Sequence, residues 1–186
     1  MKEIERKFLV NSAQFNRDIS VLENYGVDIV KYSIMQGYLS TGIDMPIRIR
    51  HRSHFDPVAV ATVDAYTMTV KANRTGITCD EIEFDIPGDK FNQLFRLCGD
   101  NVLVKSRYVV PYRGSIWEVD MFHGDLQGLV VAEIELQHED DLFVHPVWVD
   151  TQVTADSRYA NANLVKQTFD ILSNELVWKN VERFRV

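Results

Sequence analysis

The sequence predicts a β-dominated α+β fold, a closed eight-stranded antiparallel β-barrel with peripheral helices. Three observations predict it. About eight segments alternate apolar and polar residues with period two, the pattern of strands with two unlike faces. Turn-forming residues fall between these segments where hairpins need them. The charged residues keep to one side of each segment, and closing the sheet into a barrel would give those sides one shared interior.

The first strand is expected at 2–10, where Ile4 and Phe8 alternate with Glu3, Glu5 and Lys7. A short helix is then suggested from Ser12, with Phe15, Ile19 and Leu22 on one side. Strands at 28–40 and 46–52 follow, separated by Gly42 and Pro46. Segment 53–65, SHFDPVAVATVDA, mixes its signals around Pro57 and reads as a long loop or a hairpin extension. Strands at 66–73 and 77–87 are joined through Asn73 to Gly76. Phe91, Leu94, Phe95 and Cys98 keep helical spacing between Asp89 as N-cap and Gly99 as C-cap. Strands at 102–112 and 115–123 meet at Tyr112-Arg113-Gly114, and a last strand at 129–138 follows the breakers Gly124 to Gly128. A second helix is expected from about Asn163 through Leu164, Val165, Phe169, Leu172 and Leu176. No linker or repeat interrupts residues 1–186, which read as a single domain.

Composition narrows the function. An apolar fraction of 46% supplies a core, while a net charge of −7 argues against a general binder of nucleic acid or anionic membrane. Cys79 and Cys98 are the only cysteines and have no partner at metal-ligand spacing, so neither a disulfide framework nor a zinc site is expected. No apolar run is long enough to span a bilayer and the acidic start lacks a signal-peptide core, so a cytoplasmic protein is expected. His123, His138 and His145 are isolated and read as structural.

The charged faces carry the functional argument. Glu3, Glu5 and Lys7 share a side; so do Arg48 and Arg50, Glu81 with Glu83 and Asp85, Lys105 and Arg107, Glu118 and Asp120, and Glu133 and Glu135. Beyond the first strand each group has one sign, and like charges on neighbouring positions of one face repel. An ordinary solvated face mixes its signs, so groups of opposite charge should sit among these. In a closed barrel Ile4, Phe8, Ile49, Phe84, Trp117 and Ile134 would face outward under the helices, and the charged set would line a wet tunnel. An all-carboxylate cluster suits a hard cation, Mg²⁺ or Mn²⁺. Arg48, Arg50, Lys71, Lys105 and Arg107, with Lys7, suit a chain of phosphates.

These residues resemble the CYTH superfamily, the triphosphate tunnel metalloenzymes. Glu3-Ile4-Glu5-Arg6-Lys7 is similar to that family's ExExK motif. Further matches follow in order at Gln36-Gly37-Tyr38-Leu39, Ile47 to Arg50, Thr69-Val70-Lys71, Glu81-Ile82-Glu83, Lys105 to Tyr108, Trp117 to Asp120 and Glu133-Ile134-Glu135. The stretch Val153 to Asn161 resembles the end of small bacterial members. The resemblance implies metal ligands at Glu3, Glu5, Glu133 and Glu135, with Asp120 and Glu118 beside them, and Glu81 and Glu83 as supporting acids. It implies phosphate contacts at Lys7, Arg48, Arg50, Lys71, Lys105 and Arg107, with Arg158 as a further one. Glu3, Glu5 and Lys7 would thus be the catalytic group.

One departure stands out. Small bacterial members often carry a basic residue two before the first glutamate of the Glu81 strand, where this chain has Cys79. The resemblance implies hydrolysis of inorganic triphosphate to pyrophosphate and phosphate with Mg²⁺ or Mn²⁺. A class IV adenylate cyclase, a thiamine triphosphatase and a non-catalytic polyphosphate or nucleotide binder stay open. The expected partner is a small-molecule triphosphate, with nucleic acid and membrane disfavoured and a homodimer left open.

Overall fold

Eight antiparallel strands close on themselves in the computed structural model, which describes residues 2–42 and 45–179. In chain order the elements are β1 (Lys2–Val10), α1 (Ser12–Asn24), β2 (Val30–Ser40), β3 (Ile47–Asp56), β4 (Ala61–Thr75), β5 (Thr78–Asp85) and α2 (Gly88–Phe95). They continue as β6 (Val102–Tyr112), β7 (Ser115–Phe122), β8 (Val130–Glu135), β9 (Val149–Gln152), α3 (Asn161–Leu164), β10 (Gln167–Asp170) and β11 (Glu175–Trp178). The ring runs β5-β4-β3-β2-β6-β7-β8-β1, and β1 pairs with β5 to close it. β1 makes the seam with both edges: Glu5 to Leu9 pair with β8, Lys2 to Ile4 with β5, and Phe8 and Val10 with β9.

Alternation sends the apolar face outward, where helices and loops cover much of it, although Ile82 and Phe84 of β5 remain exposed instead of lying under a helix. Trp117, Phe8, Val119, Ala132 and Ile134 pack beneath Phe15 and Ile19 of α1 and beside Trp148. Asn11 caps α1 by accepting a hydrogen bond from the Gln14 amide at 3.0 Å. On another face Ile49 meets Phe91 and Cys98 from α2 and the turn that follows it. Gly37 of β2 makes this approach feasible, since a Cβ there would lie 2.6 Å from Cys98 Sγ. The inward face changes character along its length. Beyond the charged positions the same face carries Leu9, Leu103, Phe122 and Val131, which pack with Leu126, Leu164 and Leu176 as an apolar plug.

One expectation needs correction, and one open alternative is decided. Residues 163–176 do not form one helix: α3 stops at Leu164, and β10 and β11 form a hairpin in which Phe169 pairs with Leu176. Asp170 Oδ1 accepts from the Leu172 amide at 2.9 Å, and Asn174 at φ 58° closes the turn, which leaves Leu172 98% exposed instead of on a buried helical stripe. Of the two readings of segment 53–65, the hairpin extension holds: it is paired from Ser53↔Asp64 to Asp56↔Ala61, with Asp56 Oδ1 accepting from Val58 and Ala59 at the tip. His51, Arg52 and His54 therefore lie within a strand, and His51 stacks on Tyr66 at 4.6 Å. Among the described residues no helix is long and apolar enough to cross a membrane.

Candidate active site

Strand register brings the charged groups together. Glu5 pairs opposite Glu135 and Lys7 opposite Glu133, Glu133 faces Glu118 across β7, Arg107 faces Asp120, and Lys71 faces Glu81. Directly opposed side chains in a sheet are near neighbours, so each register pair becomes an electrostatic pair. The result is a cavity of about 1210 Å³ lined by Glu3, Glu5, Lys7, Arg48, Arg50, Lys71, Arg107, Glu118, Glu133 and Glu135, with Glu81 and Glu83.

Most bases inside are already committed. Lys7 bridges Glu5 at 3.2 Å and Glu133, and these two carboxylates hold its ammonium above the ordinary lysine range against the opposing effect of burial. Lys71 bridges Glu3 and, at 2.9 Å, Glu81. Arg107 is the hub: it forks onto Asp120 at 2.6 Å, reaches Glu133 at 2.9 Å and also bonds Glu118. Burial works to raise the Glu133 carboxyl, but Lys7 and Arg107 overcome it and hold that carboxyl well below its usual range. Arg48 donates to Thr69 at 2.8 Å and Glu83 at 3.1 Å, and Thr69 donates to Glu83 at 2.6 Å.

Two groups stand outside this pairing. Arg50 has no ion pair among the described residues, and its Nε is a buried donor without an acceptor. Burial, with repulsion from Arg48 and Arg107, pushes its guanidinium down to about 10. A cation in that state lacks only an anion. Glu135 is the opposite case: burial and then Glu3, Glu118, Glu81 and Glu5 push its carboxyl up, and no cation pairs with it among the described residues. Carboxylates crowded this way suit a hard divalent cation by donor type. With Lys7 and Lys71 gripping Glu3, Glu5 and Glu133, no three acids are gathered about one point among the described residues. The ammoniums hold the places for which a cation would compete.

Three expected site residues sit away from the open cavity. Lys105 and Asp120 are fully buried between the charged cavity and the apolar plug, paired with each other. Arg107 and Lys105 keep Asp120 ionised against burial, while burial, which Asp120 only partly offsets, pushes Lys105 down to about 8. Arg158 lies outside the bore and forks onto Asp156 at 2.6 to 3.1 Å. Conversely, Gln36, Tyr38 and Thr69 belong to the interior, and Arg74 lines the cavity, without having been singled out as site residues. Gln36 donates to the Tyr38 hydroxyl at 3.1 Å, and both oppose arginines, Arg50 and Arg48, across β3. The parity of β2 and β4 placed Gln36, Tyr38 and Thr69; a search confined to charges passed over them.

Comparison with known proteins bears on the family and the fold. The CYTH domain family profile matches residues 1–169. The chain is 37% identical over 169 residues to an inorganic triphosphatase of Acetivibrio thermocellus, covering 90% of this chain and 96% of that protein. It is 32% identical to an inorganic triphosphatase of Nitrosomonas europaea, covering 88% of this chain and 97% of the other. The crystal structure of the inorganic triphosphatase NE1496 superposes with a TM-score of 0.56 at 28% identity, covering 88% of this chain and 93% of that one.

Proposed function

The chain belongs to the CYTH domain family, and from that premise we propose that it hydrolyses inorganic triphosphate to pyrophosphate and phosphate inside the barrel. The observation that carries the reading is Arg50, a half-buried arginine whose enclosed Nε has no acceptor and which has no ion pair among the described residues, in a cavity that also holds surplus carboxylate. A linear polyanion with a divalent cation completes both halves of that imbalance. Arg48, Arg50, Lys71 and Arg107 take the phosphate oxygens, the arginines through paired N–H donors. Lys7 and Lys71 exchange a carboxylate for a phosphate as substrate enters, and their positive charge stabilises the group in transfer and the departing pyrophosphate. Lys105 and Asp120 act behind the cavity by fixing Arg107.

Glu3, Glu5, Glu133 and Glu135 would hold Mg²⁺ or Mn²⁺, which when bound neutralises charge on the phosphate oxygens and the leaving group. The carboxylates of Glu3, Glu5 and Glu135 also orient a water for in-line attack on a terminal phosphorus and accept its proton. The same reading makes the protein a cytoplasmic enzyme acting on a small soluble anion. The test is a panel of tripolyphosphate, ATP and thiamine triphosphate with Mg²⁺ or Mn²⁺, following phosphate and cyclic AMP together. Fastest phosphate release from tripolyphosphate is expected. Cyclic AMP from ATP without tripolyphosphate turnover would overturn the proposal in favour of a cyclase.

A further inference from the structure

Strand parity misplaces one cation. Thr67, Thr69 and Lys71 face inward on β4, so plain alternation puts Asn73 inward and Arg74 outward. The structure reverses this. Pairing with β5 shifts between Ala72 and Thr75, and Asn73 takes a left-handed φ of 51°. Such a bulge inserts a residue and re-aims the side chain after it. Asn73 turns to donate to Asp80 at 2.8 Å, and Arg74 swings over the cavity, which it lines.

Its surroundings differ from those of the deeper bases. The guanidinium is 3.7 Å from Glu5 Oε1 and 3.9 Å from Cys79 Sγ, and the side chain is 44% exposed, against 9% for Arg48 and 7% for Arg107. A long ion pair at that exposure holds the arginine weakly, so it can be redirected at little cost. Beneath it Cys79 takes an inward position on β5, its Sγ donating to Glu3 Oε2 at 3.1 Å. A cysteine carries no positive charge in either protonation state, so position 79 brings none beside Glu3. Arg74 fills the charge gap at that corner from the neighbouring strand.

We propose that Arg74 is a substrate-contacting residue that grips the outermost phosphate at the cavity rim, serving from β4 in place of an inward cation at position 79. The proposal rests on the triphosphate reading above. Its test is tripolyphosphate binding by calorimetry together with steady-state phosphate release, on wild type, Arg74→Ala, Arg74→Lys and the double variant Arg74→Ala/Cys79→Arg. Arg74→Ala is expected to raise Kd and KM about 10- to 100-fold, the size of a lost charge-assisted hydrogen bond, with kcat within about twofold. Arg74→Lys recovers part of the affinity, and Cys79→Arg restores it in the Arg74→Ala background, a rescue that a merely structural role would not give. If wild type binds and hydrolyses tripolyphosphate while Arg74→Ala keeps its Kd and KM, this proposal fails and the triphosphate reading stands. A rise in KM that neither Arg74→Lys nor Cys79→Arg reverses also overturns it. Wild type that neither binds nor hydrolyses tripolyphosphate defeats both.

Discussion

Replacing Arg50 with methionine should make the protein more stable and less active. The variant keeps an unbranched stem of similar reach and removes a charge that the fold holds at a loss. In the folded chain burial and then Arg48 and Arg107 bring the Arg50 guanidinium down to about 10, more than two units below its ordinary range. At 1.36 kcal/mol per pKa unit, the charged form costs roughly 3 kcal/mol, from which Arg50→Met should recover about 1–3 kcal/mol once lost contacts are deducted. The sign follows from linkage. From about pH 10 up to the ordinary arginine range the unfolded chain binds the proton more tightly, so wild-type stability rises with pH across that window. Below pH 10 the charge is fully present in both states, so the gain in the variant is complete at neutral pH. Thermal unfolding without phosphate reads the stability, where about 2 kcal/mol corresponds to several degrees in a chain of this size. Tripolyphosphate turnover should fall about 10²- to 10³-fold, as for the loss of one donor aimed at a developing charge. Arg107→Met is the control: it strips the partner from Asp120, Glu118 and Glu133 and should cost about 3–5 kcal/mol. An Arg50→Met protein that loses stability as Arg107→Met does, or keeps full turnover, would refute the view of Arg50 as an uncommitted substrate cation.

Other outcomes follow from the same contacts. Burial lowers Lys105 to about 8 in the folded chain, so the unfolded state binds more protons from there up to about 10.5 and stability gains with pH in that window; Lys105→Met should flatten the rise in urea unfolding measured from pH 7 to 10. Trp117, fully buried against Phe8, Phe143 and Trp148, should cost about 3–5 kcal/mol as alanine, again by urea unfolding. Gly37→Ala drives a methyl toward Cys98 Sγ and should cost about 1–3 kcal/mol, with α2 displaced in a crystal structure of the variant.

The barrel was legible because its inward and outward faces differ so sharply. Arg48 and Arg50 against Ile47 and Ile49, or Glu133 and Glu135 against Ile134, fix both the strand and its inward side. The candidate cavity was legible from the same parity, since closing the sheet turns most of the charged positions, Glu3, Glu5, Arg48, Arg50, Glu133 and Glu135 among them, to one interior. Local pattern failed where two structures satisfy it equally. Leu164, Phe169, Leu172 and Leu176 fit a helical stripe, but the left-handed turn at Asn174 lets Phe169 meet Leu176 across a hairpin instead. Arg74 was hidden for a related reason: one residue at positive φ, Asn73, shifts the parity of those after it, and alternation carries no sign of a bulge. The depth of Lys105 was beyond reach as well. It shares a face with Arg107, and only the packing of Leu103 and Phe122 shows where the charged bore gives way to the plug.

The most direct test of the central claim is a phosphorus NMR time course of tripolyphosphate with the full chain and Mg²⁺. The account predicts pyrophosphate and orthophosphate resonances growing in equal molar amounts as tripolyphosphate disappears. A spectrum that stays unchanged, or orthophosphate accumulating without pyrophosphate, would contradict it.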